Sequence, residues 1–123
     1  MAFEISVERR PGFTRVAVTG AAALGDLLGA ITDLAGQTLH LHETHVLVDL
    51  TGVQGRLSFT DHFQLGDHAA RELKHLKKLA SVVPADKITR TSEKVARKQG
   101  LQLQVFVSVD EAIDWLTADT AAT

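Results

Sequence analysis

The chain has 123 residues, 45% of them hydrophobic and 23% charged, which suffices for one domain with its own core and leaves no room for a second. Lys and Arg number 13 against 15 Asp and Glu, a net charge of −2, so there is no general field to hold a nucleic-acid backbone, and nucleic acid is excluded as a partner. With 0 Cys, disulfides, thiolate metal sites and cysteine nucleophiles are excluded, and a reducing cytoplasm is the expected compartment.

Phe3, Ile5 and Val7 alternate with Glu4, Ser6 and Glu8, the period of a strand with one face in water, and predict an edge strand over residues 3–9. Arg10, Pro11 and Gly12 form a turn, because proline presets its φ and glycine tolerates positive φ; a second strand follows over residues 13–19 and stops at Gly20. Leu24, Leu27, Leu28, Ile31, Leu34 and Ala35 carry helical spacing within residues 21–39. Gly25 and Gly29 each weaken that helix by about 1 kcal/mol relative to alanine.

Val46, Leu47, Val48, Asp49 and Leu50 form a short branched run, as in a central strand covered on both faces, broken by Thr51, Gly52 and Gly55. Phe59, Phe63, Gly66, Ala70, Leu73 and Leu76 then mark one apolar face of a second helix. Ser58 or Thr60 is available as its N-cap, and Arg71, Lys74, Lys77 and Lys78 lie near its negative end. Residues 79–83 supply another strand, stopped by Pro84, and Thr91 or Ser92 opens a short helix over residues 93–99 with Gly100 in the C′ place. A last strand over residues 101–107 precedes Ser108 and Glu111, spaced as a capping box ahead of Ala112, Ile113, Trp115 and Leu116. Residues 1–117 then make a single domain and residues 118–123 a frayed tail.

This order predicts an α/β fold: a mixed sheet of about five strands, an N-terminal antiparallel hairpin with the remainder parallel, and four helices packed on it. No apolar run approaches the roughly 18 residues of a spanning helix, and no basic region followed by an apolar core opens the chain, so neither membrane insertion nor secretion is expected.

The stretch V-L-V-D-L-T-G-V (residues 46–53), the amphipathic helix after it, the strand at 79–83 and the ending Q-V-F-V-S-V-D-E-A-I-D-W-L (residues 104–116) resemble the SpoIIAA-like family of STAS and CRAL-TRIO-type domains. The best marks are D-L-T-G and the set Phe106, Glu111, Ala112, Trp115 and Leu116. The resemblance implies a sheet with helices packed against it, in small bacterial cytosolic proteins. It also implies one of two functions. Anti-sigma-factor antagonists bind a partner protein and are switched by phosphorylation of a serine at the start of the helix after the central strand; CRAL-TRIO relatives enclose lipids or other apolar molecules. The D-S-x-G-like phosphosite of the antagonists is not found: the matching region, G-R-L-S-F-T-D-H (residues 55–62), offers Ser58 and Thr60 without the preceding acid or the following glycine, leaving Ser58 as the candidate phosphosite. The chain is also much shorter than the lipid-transfer relatives and lacks their extra helical gate.

Residues 51–60 follow the carboxyl end of the expected central strand, where open α/β sheets place a ligand crevice. The free N–H groups of a helix start, with Arg56 nearby, suit a carboxylate or phosphate head, while Phe59 and Phe63 cover an apolar portion. The candidate ligand-binding set is therefore Thr51, Gly52, Arg56, Ser58, Phe59, Thr60 and Phe63. A plainer alternative has Ser58 or Thr60 only capping, Gly52 and Gly55 only turning, and Arg56 solvated.

His40, His42 and His45 are spaced H-x-H-x-x-H, but three ligands need convergent geometry, and a polar surface loop is the favoured reading; no metal site is expected. His68 and His75 share a helix side and lie too far apart to chelate one ion. Asp61, His62, Asp67 and His68 tempt an acid–base reading with Ser58 or Thr60 as nucleophile, yet no G-x-S-x-G elbow occurs and catalysis is not expected. Gly20 and Gly25 make only half of a dinucleotide fingerprint, and no cofactor is expected. The basic residues between Arg71 and Lys98 serve an acidic partner, anionic lipid headgroups, or ordinary solubility with helix C-terminal charge, the last being the favoured reading. The sequence thus reads as a non-enzymatic module recognising a small apolar or amphiphilic ligand near the end of the central strand. The alternative is a regulatory interaction domain of the anti-sigma-factor-antagonist type, contacting a protein partner or a second copy as a homodimer.

Overall fold

A computed structural model describes residues 3–54, 57–87 and 90–122 of the chain. Its elements are β1 (Phe3–Arg10), β2 (Phe13–Ala21), α1 (Leu24–His40), β3 (His45–Gln54), α2 (Phe59–Glu72), β4 (Lys78–Val82), a 3-10 turn at Ala85–Lys87, α3 (Thr91–Lys98), β5 (Leu103–Phe106) and α4 (Val109–Ala122). The strands lie in the order β1-β2-β3-β4-β5, with β1 antiparallel to β2 and every other neighbour parallel. This is the expected α/β arrangement, and it puts β3 in the middle of the sheet with Val46 and Leu47 fully buried on its opposite faces.

The two faces are covered differently. On one, α4 comes close to β3, β4 and β5 and packs Ala112 and Leu116 onto Leu47, Ala80 and Val82. Trp115 borders this layer, its ring 5.7 Å from that of Phe106, with the Lys78 ammonium 4.8 Å above it and donating to the Trp115 carbonyl at 2.7 Å.

On the other face α1, α2 and α3 are joined into one layer. The hydroxyl of Thr32 lies 2.9 Å from Nε2 of His68, and that of the wholly buried Thr38 lies 2.7 Å from Nε2 of His75, so both histidines tie the α2 region to α1. Gln99 donates to Asp67 at 2.7 Å, linking the end of α3 to α2. Arg97 donates to the Leu103 carbonyl at 2.8 Å and Glu93 accepts from the Val105 N–H at 2.8 Å, which sews α3 to β5. Within the basic segment Arg71, Lys78, Arg90 and Arg97 are held by partners in the chain, while Lys74, Lys77, Lys94 and Lys98 are exposed.

Several boundaries differ from the sequence pattern. β3 runs on through Thr51 and Gly52, because after a register shift between Ala17 and Thr19 the end of β2 pairs again with Gly52, Val53 and Gln54. Glycine is required there by proximity rather than by a turn: a Cβ on Gly52 would stand 2.7 Å from Cγ2 of Thr19. α1 begins at Leu24, where the Asp26 carboxylate accepts from the Ala23 N–H at 3.0 Å. α4 reaches Ala122, beyond the end that the pattern sets at residue 117. Finally, Phe59 and Phe63 are not on a buried helix face; they are 71% and 49% exposed.

Candidate functional site

Between the sheet and the α1–α2 layer lies a cavity of about 450 Å³. Its floor is made by alternate residues of the strands, including Val16 and Val18 of β2, Val48 and Leu50 of β3, Leu79 and Ser81 of β4, and Leu103 and Val105 of β5. Leu27, Ile31 and Leu34 of α1 and Leu65, Ala69 and Leu73 of α2 form its roof. α1 and α2 approach the strands less closely than α4 does on the opposite face. Of the buried positions within α2, Gly66, Ala69 and Ala70, Ala69 lines the cavity and Gly66 packs against Ser92 of α3. The volume falls within the roughly 300–1,000 Å³ of small-molecule sites.

Few polar groups reach this space. Asp33 and Gln37 of α1 line it and are exposed, as are Ile5 and Val7 of β1. His62, Ser81 and Ser92, which also line it, are each half-buried. None of these three side chains has a hydrogen-bond partner among the described residues. Burial holds the His62 imidazole below its ordinary value, and the Asp61 charge, acting the other way, is the smaller influence. No Lys or Arg among the described residues lines the cavity.

The candidate residues of the sequence fall elsewhere. Ser58 is the N-cap of α2: its Oγ accepts from the Asp61 N–H at 3.1 Å, while the Asp61 carboxylate accepts from the Ser58 N–H at 3.0 Å. Phe59, Thr60 and Phe63 follow on the outer side of the first turns, exposed or nearly so. Thr51 belongs to β3, where its N–H and hydroxyl donate to Oδ1 of Asp49 at 3.0 and 2.6 Å; the other carboxylate oxygen of Asp49 accepts from Arg15 at 3.0 Å. Burial pushes the Asp49 carboxyl up, but the hydrogen bonds from Thr51 and the Arg15 guanidinium outweigh it and hold the group below its ordinary value. Thr51, Gly52, Ser58, Phe59, Thr60 and Phe63 do not line the cavity. Gly55 and Arg56 lie outside the described residues.

The cavity's own polar residues escape a search for motifs. One signal was nonetheless present: His62 shares helical spacing with Leu65, Gly66, Ala69 and Leu73, a polar residue set in an apolar stripe. Ser81 is likewise the one hydroxyl within the apolar run of β4.

The remaining histidines do not meet. His40 and His42 are exposed, His42 with a positive φ of 57°, and Nδ1 of His45 lies 2.8 Å from the Thr44 hydroxyl. Among the described residues no group of three or more His, Cys, Asp or Glu is placed to hold a metal ion. No helix of the described residues is long and apolar enough to cross a membrane. The Ser58 hydroxyl is engaged as a cap, accepting from the Asp61 N–H.

Comparison with solved structures supports the same architecture. An anti-sigma factor antagonist from Mycobacterium paratuberculosis superimposes with a TM-score of 0.65 at 16% identity, covering 93% of this chain and 93% of the other. A protein of the DUF3478 family with a SpoIIAA-like fold, from Shewanella loihica PV-4, gives a TM-score of 0.58 at 22% identity, covering 94% of this chain and 95% of the other. A serine-to-glutamate variant of RsbS from Moorella thermoacetica gives 0.60 at 12% identity, covering 97% of this chain and 98% of the other. At these identities the likeness is one of fold. No curated protein matches the chain. The family model described as SpoIIAA-like, however, matches residues 14–117, from the second strand into the last helix, and on that match the chain belongs to the SpoIIAA-like family.

Proposed function

We propose that this domain is a non-enzymatic, cytoplasmic regulatory module that binds a partner protein, an anti-sigma factor, through the first turns of α2. The observation that carries this reading is the pair Phe59 and Phe63, one helical turn apart and 71% and 49% exposed beside a firmly capped helix start. Large aromatics held rigidly at a surface are the residue type that anchors protein interfaces. Two of the structural neighbours support the same kind of role, one being an anti-sigma factor antagonist and another a form of RsbS. Ser58, directly before Phe59 and exposed, is the candidate phosphosite: a phosphate adds about −1.5 to −2 charges beside the aromatic pair and takes over the capping oxygen. The test is co-purification with anti-sigma factors of the same organism. Phe59→Ser with Phe63→Ser is expected to abolish capture; capture equal to the parent, or assembly only into homodimers, contradicts the reading.

A second reading is favoured by the cavity of about 450 Å³, which suits a small apolar or amphiphilic molecule. Burial of each CH₂ there contributes roughly 0.8 kcal/mol. Native mass spectrometry of the purified chain tests it: a retained molecule, lost when Val48→Trp fills the space, supports it, and a bare chain that also gains no stability from added alkanols contradicts it.

A further inference from the structure

Resting on the cavity reading and going beyond it, we propose that the bound molecule is an uncharged single-chain amphiphile with a hydroxyl or similar neutral polar end, which His62, Ser81 and Ser92 receive inside the cavity. The head site is thus inside the molecule, under α2, rather than at the start of that helix.

Three features converge on this. Ser81 stands on the cavity floor between Val48 of β3 and Val105 of β5, its hydroxyl surrounded by branched aliphatic side chains. Ser92 opens α3 and meets α2 at Gly66, the residue one turn beyond His62. A hydroxyl both donates and accepts, and a neutral imidazole does the same through its two nitrogens, so together they match an alcohol or carbonyl end. The polar atoms of His62, Ser81 and Ser92 face the cavity unpaired within the described chain and are not shut away from solvent, so a ligand's polar end can pair with them without breaking an existing bond.

Charge argues against a carboxylate. The described lining holds one charged residue, the exposed Asp33, and no Lys or Arg to pair with an anion. An anion in this space would be buried without a counter-ion, which costs several kcal/mol unless it protonates. Burial disfavours the charged form of the His62 imidazole, so it is a poor counter-ion for an anion here. By size, a water's share of about 30 Å³ translates the volume into roughly fifteen non-hydrogen atoms, a chain of medium length.

The experiment titrates the full chain with 1-dodecanol and with dodecanoate at pH 7.5, reading affinity by calorimetry and thermal stabilisation. Dodecanol is expected to bind at least about tenfold more tightly than dodecanoate. Ser81→Ala and, separately, Ser92→Ala are expected to weaken dodecanol by about fivefold and leave dodecanoate unchanged, narrowing the preference. Dodecanoate binding as tightly as dodecanol, or a preference untouched by both variants, overturns the head-site assignment and leaves the cavity reading standing. Failure of both compounds to bind overturns the cavity reading as well.

Discussion

Gly66 of α2 and Ser92 of α3 approach so closely that a Cβ on Gly66 would lie 2.6 Å from the Ser92 carbonyl oxygen and 2.9 Å from its Cα. Backbone is what it would meet, so no side-chain rotation relieves the clash. Gly66→Ala should therefore push the two helices apart and lower stability by about 1–3 kcal/mol, despite alanine's better helix propensity. Urea unfolding checks this; a stabilised variant would mean that the helices do not touch as described.

The Arg15–Asp49 pair makes a prediction in acid. Side-chain exposures of 30% and 12% place it partly out of water, and Asp49 also receives two hydrogen bonds from Thr51. Because its folded value is lowered, its contribution is complete above the unfolded carboxylate value near 4 and is lost as pH falls through the folded one. Asp49→Asn should lower stability at pH 7 by about 1–3 kcal/mol and flatten the acid limb of the stability profile below pH of about 4. Unfolding free energies measured between acid and neutral pH give both quantities.

His62 also loses its contribution in acid, at a higher pH than Asp49. Burial lowers its folded value, so the unfolded chain takes up the proton first, and stability declines as pH drops below the unfolded value near 6.5 toward the folded one. His62→Gln should shallow that decline. NMR titration of the imidazole provides the direct check, with a midpoint below that of a free histidine expected.

Exposure separates folding from recognition. Phe59→Ser and Phe63→Ser should each change stability by no more than about 0.5–1 kcal/mol, since neither side chain belongs to a buried cluster. Leu47→Ala, which empties a fully buried site between β3 and α4, should cost about 2–5 kcal/mol. Thermal unfolding of the three variants distinguishes the surface pair from the core.

Element type and order were legible because each depends on local chemistry: alternation in β1, the Ser58 and Ser108 caps, and Gly100 with its φ of +100° after α3. Gly52 misled because a glycine that accommodates Thr19 across a ladder reads, in one dimension, like a glycine that turns. Phe59 and Phe63 misled for a related reason. Helical spacing admits two overlapping stripes on α2, one through Phe59, Phe63, Gly66 and Ala70 and the other through His62, Leu65, Ala69 and Leu73, and only tertiary packing turns the second toward the sheet. The cavity itself was not legible at all. Periodicity reports which side chains face inward, not how far apart two layers settle, and the contacts that set the roof helices against one another, Gly66–Ser92, His68–Thr32 and His75–Thr38, join residues far apart in sequence.

Recognition through the aromatic face of α2 is tested most directly by the affinity of an anti-sigma factor from the same organism for the parent chain and for the Phe59→Ser, Phe63→Ser double variant, both verified as folded. A loss of at least about tenfold in the variant is expected. Equal affinities would contradict the proposal and move the binding surface away from the start of α2.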